Sequence, residues 1–121
     1  MRLNVQKFKY MEKKIQAWLE DIKKSIDEIE TFLPEKQNFF EFQKDLKGRK
    51  AIERNIEIIG EAINRILKVN PHIKISNARK IVDTRNRISH VYDSVSDDII
   101  WAIVTKDLKK LKKEILELLT R

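Results

Sequence analysis

Apolar side chains recur at intervals of three and four residues through most of this 121-residue sequence. That spacing places them on one face of an α-helix, as in a helix packed within a bundle. Only two glycines and two prolines are present to interrupt such helices, whereas an all-β fold would need a turn about every 8–12 residues. The sequence therefore predicts an all-α fold, an antiparallel bundle of four long helices plus one short helix, in a single domain over residues 1–121.

The first long helix is predicted over residues 8–33, where the apolar stripe is uninterrupted, and Pro34 ends it. Asn38 then has the character of an N-cap, with Glu41 three residues later as in a capping box, and it opens the short helix. Gly48 is expected to mark the region where the short helix gives way to the next.

The third helix is the most apolar and carries two stripes. One consists of Ile52, Ile56, Ile59, Ile63 and Ile66, and the other of Ala51, Ile58 and Ala62. A helix with two apolar stripes is buried on two sides, either as the centre of a bundle or because it also touches a second subunit. The pair Asn70-Pro71 is expected to end it.

Ser76 is predicted to cap a fourth helix, whose inward-facing residues are Ala78, Ile81, Val82 and Ile88. The last helix is expected to start at Ser94 or Ser96, with Asp97 and Asp98 in its first turn, where the helix dipole favours acids. Its apolar stripe is Ile100, Val104, Leu108, Leu111, Ile115 and Leu118.

The chain has a formal net charge of +7 and no cysteine. A basic chain suits a polyanionic partner such as nucleic acid, but a lysine-rich solvated surface explains the charge equally well. The lysine run over residues 106–113 carries the same two interpretations, a solvated face or a contact for tRNA or mRNA phosphates. Thiolate metal sites are excluded, and no segment resembles a membrane span or a signal peptide, so a cytoplasmic protein is expected.

One stretch concentrates polar chemistry, the string RNRISHVYD at residues 85–93. On a continuous helix, Asn86 and His90 would share one face, and Arg85 and Ser89 a neighbouring one that also holds Tyr92. A phosphate across these faces could be contacted by guanidinium, amide and imidazole together. Alternatively, these side chains cap the helix end and pair with nearby aspartates.

The order of these residues resembles the R-x4-H-x-Y motif of the HEPN superfamily, and more narrowly of the HepT toxin family. The segment ARKIVDTRNRISHVYDSVSDDIIWAIV, residues 78–104, is similar to the family's motif helix and the helix start after it. The segment RKAIERNIEIIGEAINRI, residues 49–66, is similar to the family's other hallmark helix. Asp93-Ser94 stand where the family often has Phe-Gly.

The resemblance implies a homodimeric, metal-independent endoribonuclease that acts as a toxin of a type VII-like toxin-antitoxin pair. Arg85 and His90 would be catalytic, with Asn86 as their polar companion. Tyr92 would be the residue that a minimal nucleotidyltransferase antitoxin, MntA, adenylylates to silence the toxin. No metal or other cofactor is implied.

The chemistry of these residues is consistent with that role. Cleavage of RNA through its 2′-OH needs a base, an acid and a cation for the charge on phosphorus. Each chain brings one motif histidine, so a dimer would supply the acid-base pair from two copies of His90. The other histidine, His72, is expected to be exposed and structural in a loop.

Several other residues have open roles. Gly60, in mid-helix, is expected to permit close approach of another helix. Glu57 or Glu61 could hold Arg85 or Arg87, or both acids could simply face solvent. Arg87 could contact the RNA backbone or pair with an acid, and Ser89 could support the site or contact RNA. The main alternative function is a non-catalytic HEPN module that binds a nucleotidyltransferase or a nucleotide, and a further one is a dimeric helical protein with a basic face that binds nucleic acid non-specifically.

Overall fold

The computed structural model of the protein describes residues 2–33, 38–89 and 96–120, and this part of the chain is helical without any strand. The helices are α1 (Arg2–Phe32), α2 (Phe39–Lys44), α3 (Leu46–Val69), α4 (Ala78–Ser89), α5 (Asp97–Ala102) and α6 (Leu108–Leu119), with a π-helical turn (Ile103–Asp107) between the last two. Because α5, the π-helical turn and α6 follow one another without a break, they form one long helix. The predicted all-α class, with four long helices and one short one, is confirmed.

Helix α3 is the centre of the packing and contacts α1 on one side and α4 on the other, while α1 also packs on α6. The predicted main stripe of α3 is buried, since its five isoleucines are each 2% exposed or less. Burying one such side chain stabilises the fold by about 1.5–3 kcal/mol. The second stripe divides: Ala62 is buried, whereas Ile58 stays 38% exposed.

The predicted start of the short helix is confirmed. Asn38 Oδ1 accepts hydrogen bonds from the backbone N–H groups of Phe40 at 2.9 Å and Glu41 at 3.4 Å. The first helix begins earlier than predicted, at Arg2, and ends at Phe32, while Pro34 lies outside the described residues. Helix α3 ends at Val69, directly before the predicted Asn70-Pro71 break.

Two predicted boundaries are wrong. The break between α2 and α3 falls at Asp45, whose carboxylate accepts a hydrogen bond from the Gly48 N–H at 2.9 Å, so Gly48 lies inside α3. Ser76 does not cap the fourth helix, which starts at Ala78. The Ser76 hydroxyl instead donates to Glu114 of α6 at 3.0 Å.

The start of the last helix is near the predicted place. Helix α5 begins at Asp97, and the backbone oxygen of Ser96 accepts from Ile99 and Ile100, but the Ser96 hydroxyl makes no capping bond. The alternative cap, Ser94, lies outside the described residues.

An ion pair ties the start of α3 to the start of α5. Arg49 Nη1 donates to both carboxylate oxygens of Asp97, at 3.0 and 2.9 Å. Asp97 follows shortly after residues 90–95, which lie outside the described part. The pair therefore holds the start of α5 against the start of α3. None of the helices in the described ranges is long and apolar enough to cross a membrane.

Candidate functional site

The polar cluster begins within the last turns of α4. Arg85, Asn86 and Arg87 lie on that helix, which is described as far as Ser89. His90 and Tyr92 lie outside the described residues, as does the side chain of Ser89. The structure therefore shows the setting of Arg85 and Asn86, and the roles of His90 and Tyr92 stay predictions.

Gly60 sets the position of α4 against α3. A Cβ added at Gly60 would collide with the Cβ of Arg85, and it would lie 2.8 Å from the Arg85 Cγ and 3.3 Å from the Ile81 carbonyl oxygen. Only a residue without a side chain lets the two helices approach this closely. The prediction that Gly60 permits close approach of another helix is confirmed, and the helix it admits is the one that carries Arg85.

The next residue of α3 holds the guanidinium of Arg85. Arg85 Nη2 donates to Glu61 Oε2, and Arg85 Nη1 donates to the side-chain oxygen of Asn86 at 2.7 Å. A guanidinium has five N–H donors, so these two bonds leave donors for an anion. Of Glu57 and Glu61, it is Glu61 that makes the contact with Arg85. Its charge-assisted bond fixes the direction in which the planar group points.

Glu61 also serves a second arginine. Its other carboxylate oxygen accepts from Arg65 Nε at 3.1 Å, one helical turn along α3. Both arginine side chains keep contact with solvent, Arg85 with 28% and Arg65 with 56% of its side chain exposed. The carboxylate therefore holds two cations at the surface, where an anionic ligand can reach them.

These residues line an open cleft of about 360 Å³ between α1, α3 and α4. Its lining consists of Trp18, Asp21, Arg54, Glu57, Ile58, Glu61, Ala62, Arg65 and Arg85. Three arginines and three acids make the cleft charge-balanced, and Trp18, Ile58 and Ala62 add apolar surface to its lining. Glu57 lines this cleft, one helical turn from Glu61.

Sequence reasoning missed two contributors to this site. Trp18 falls within the apolar stripe predicted over residues 8–33, yet it is only half-buried and lines the cleft. Arg65 was not singled out, although its position four residues after Glu61 is the spacing of a helical ion pair. That spacing could have identified Arg65, whereas only the packing of α1 on α3 brings Trp18 to the site.

Other candidate residues lie elsewhere on the surface. Arg87 is exposed on α4, and His72 is exposed in the turn after α3, as predicted. In the basic run over 106–113 most lysines are exposed, but Lys112 donates to Glu30 of α1 at 2.8 Å. That hydrogen bond raises the pKa of Lys112 above its ordinary value.

Within residues 2–33, 38–89 and 96–120, no three carboxylates or imidazoles come together in an arrangement that could hold a metal ion.

Comparisons with known proteins point to one family. The model of the family described as "Ribonuclease HepT-like" matches residues 22–118. No solved structure matches the chain significantly.

Curated relatives agree with the family match. "Putative RNase MJ0127" of Methanocaldococcus jannaschii is 31% identical over 109 residues, which cover 88% of this chain and 88% of the relative. "Probable ribonuclease HepT" of Thermococcus cleftensis is 33% identical, over 84% of this chain and 93% of the relative. "Putative RNase TTE0752" of Caldanaerobacter subterraneus subsp. tengcongensis is 33% identical, over 69% of this chain and 76% of the relative.

Proposed function

The chain belongs to the HepT-like ribonuclease family. We propose that it is an endoribonuclease that cleaves RNA without a metal ion, and that the RNA is tRNA or mRNA. The observation that carries the proposal is Arg85, which Glu61 and Asn86 orient at the edge of an open cleft. Arginine is suited to the oxygens of a phosphate because its donors form a planar, permanently charged fork.

The proposed reaction is transesterification at phosphorus. His90 of one subunit takes the proton of the ribose 2′-OH, and the 2′-oxygen attacks the adjacent phosphorus. The bond from phosphorus to the 5′-oxygen breaks, and a protonated His90 from a second subunit gives that oxygen its proton. The products are a 2′,3′-cyclic phosphate and a 5′-OH.

Arg85 has an electrostatic role in this scheme. The pentacovalent phosphorus carries more negative charge on its oxygens than the starting diester, and a preorganised cation stabilises that charge most strongly. Because Glu61 already holds the guanidinium in place, the guanidinium does not reorient during the reaction. Asn86 adds a polar group beside it.

The scheme requires a homodimer. A chain has two histidines, and His72 lies exposed in the turn after α3, which leaves one histidine in the motif. Two copies of the motif facing each other would supply both the base and the acid. The exposed Ile58, which lines the cleft, offers apolar surface that a second subunit could cover.

Cleavage of single-stranded RNA and bulk tRNA in EDTA tests the proposal. His90→Ala and Arg85→Ala are expected to lower the rate by at least about a hundredfold. His72→Ala is the matched control, since it removes the chain's other histidine, and it should cleave at the wild-type rate. The cleaved RNA should carry 5′-OH ends that a polynucleotide kinase labels directly.

Equal cleavage by wild type and His90→Ala would reject the assigned role. Absence of cleavage by the wild type, with retained binding of a nucleotidyltransferase or a nucleotide, would support the non-catalytic alternative.

Regulation by an antitoxin completes the proposal. A toxin of this type would be silenced when an MntA-like nucleotidyltransferase attaches AMP to Tyr92, because the added bulk and negative charge would repel the RNA backbone. Incubation with ATP and such an enzyme should add the mass of one or more AMP units and abolish cleavage. Tyr92→Phe should remain unmodified, and modification of that variant would place the acceptor elsewhere.

A further inference from the structure

One face of α1 carries an aromatic-lysine ladder that the proposed reaction does not use. Tyr10, Lys14 and Trp18 follow one another at intervals of four residues and therefore lie along the same side of the helix. The ammonium group of Lys14 lies 5.2 Å from the ring centroid of Tyr10 and 6.0 Å from that of Trp18. Tyr10 is 59% exposed.

This ladder leads to the candidate active site. Trp18, the last of the three along the chain, lines the cleft that Arg85 also lines. Tyr10 lies two turns further along α1, about 12 Å from Trp18 along the axis. Because Trp18 belongs to both, the ladder adjoins the cleft that Arg85 lines.

The charge of this part of α1 differs from that of the cleft. Lysines occupy positions 7, 9, 13 and 14, and Glu12 is the single acid between Val5 and Lys14. The cleft holds three arginines against three acids, so it has little net attraction for a polyanion. The lysines of α1 therefore supply positive charge that the cleft itself lacks.

We propose that the face formed by Tyr10, Lys14 and Trp18 binds a single-stranded RNA segment that flanks the phosphate cleaved at Arg85. Bases stack on exposed aromatic rings regardless of sequence, and lysines neutralise the backbone between them. The proposal rests on the ribonuclease function above. The three residues precede the part matched by the family model, residues 22–118, so the family match does not assign this surface.

The competing occupant is a second copy of the chain. Val5 and Phe8 are exposed by 54% and 61%, and Phe8 continues the core-facing stripe of α1, not the ladder. A partner subunit could cover that stripe. RNA is favoured for the ladder because lysine and aromatic side chains alternate on it and because it opens into the cleft.

Steady-state cleavage of two substrates tests the inference. A long unstructured RNA covers the ladder, whereas a dinucleotide reaches only the cleft. Tyr10→Ala should raise KM for the long RNA by at least about fivefold, the loss of one stacked base, and leave its kcat and the dinucleotide kinetics unchanged. Lys14→Gln should raise the same KM and reduce the salt dependence of binding by about 0.7 in the log-log slope.

Two control variants match these changes. Phe40→Ala removes an aromatic side chain that is 69% exposed on α2, and Lys44→Gln removes an exposed lysine of the same helix. Both should behave as wild type on both substrates.

The possible results distinguish failure of the RNA-binding inference from failure of the proposed ribonuclease function. Cleavage of the long RNA by Tyr10→Ala and Lys14→Gln with wild-type KM overturns the inference alone. A change of oligomeric state in these variants, measured by light scattering, also overturns it and assigns the face to contact between copies. Failure of the wild type to cleave either substrate overturns the proposed function together with the inference.

Discussion

Glu61 accepts hydrogen bonds from two arginines, Arg65 of its own helix and Arg85 of α4. The contact with Arg85 exists because Gly60, the preceding residue, lets α4 approach α3 closely. Two neighbouring residues of α3 therefore have separate roles. Gly60 leaves room for α4, and Glu61 holds the guanidinium of Arg85. Two predictions test them separately.

Replacement of Gly60 by alanine should destabilise the protein by about 1–3 kcal/mol, because the new methyl group forces α3 and α4 apart. Gly48→Ala is the matched control within the same helix. Its methyl group would meet only the carboxylate end of Asp45, which can move, so the loss should stay below about 1 kcal/mol. Urea unfolding of both variants measures the difference, and equal losses would show that Gly60 is not a contact point between the helices.

Glu61→Gln should lower kcat for RNA cleavage by about tenfold, with little change in stability. The amide can still accept a hydrogen bond from Arg85, but a neutral acceptor holds a guanidinium less firmly than a carboxylate does. Glu57→Gln, one turn earlier in the same cleft, is the control and should keep the wild-type kcat. Full activity of Glu61→Gln would mean that the charge of Glu61 is not needed to position Arg85.

For single residues, the sequence predicts the kind of contact that a residue makes better than it predicts which residue is contacted. Gly60 in mid-helix indicated a close approach, and that prediction is confirmed. Glu57 and Glu61 could not be separated by spacing alone, because both lie near the same side of α3. Only the rotation of α4 against α3, set by packing, selects Glu61.

At the scale of helices, a second charged region lies where the start of α3 meets the start of α5. It surrounds the Arg49–Asp97 ion pair. Glu53, one turn after Arg49, is half-buried beside it. Burial raises the pKa of Glu53 above the ordinary value of 4.5, the Arg49 charge opposes that rise, and Asp97 adds to it.

This shift predicts how stability depends on pH. Below pH 4.5, Glu53 is protonated in both the folded and the unfolded chain. As the pH rises through the interval above 4.5, the unfolded chain releases its proton first, so the wild type loses stability relative to Glu53→Gln. The melting temperature of Glu53→Gln minus that of the wild type should therefore increase with pH and then level off.

Glu117→Gln, which changes an exposed carboxylate on α6, is the control for that series. A difference between Glu53→Gln and the wild type that stays constant or shrinks as the pH rises would contradict the shift.

Element boundaries followed from the sequence where the local chemistry was decisive, as at Asn38 and at Asn70-Pro71. They did not follow at Ser76, whose hydroxyl is taken by Glu114, 38 residues further along the chain. The π-helical turn was also missed. The sequence signal of the π-helical turn is the four-residue spacing of Ile100, Val104 and Leu108. In a regular α-helix, two successive four-residue intervals would turn Leu108 by about 80° from the direction of Ile100 and so away from the core. The wider π turn keeps those side chains buried.

For the whole molecule, the sequence predicts which residues form the core but not how subunits assemble. The isoleucine stripe of α3 is buried within one chain, so hydrophobic periodicity alone identifies it. The exposed Ile58, Phe8 and Val5 are apolar surface that periodicity assigns to no partner. The proposed reaction nevertheless depends on assembly, because each chain brings a single motif histidine to a reaction that needs an acid and a base.

Mixing experiments test this dependence most directly. Light scattering should first show that the wild type and His90→Ala each have about twice the 14.5 kDa mass of one chain. The two proteins are then mixed and allowed to exchange subunits. RNA cleavage in EDTA is then measured against the wild-type fraction. If two copies of His90 act together, activity follows the square of that fraction, and an equal mixture keeps about one quarter of the wild-type rate. Activity proportional to the wild-type fraction, with one half remaining in the equal mixture, would contradict a site shared between two subunits.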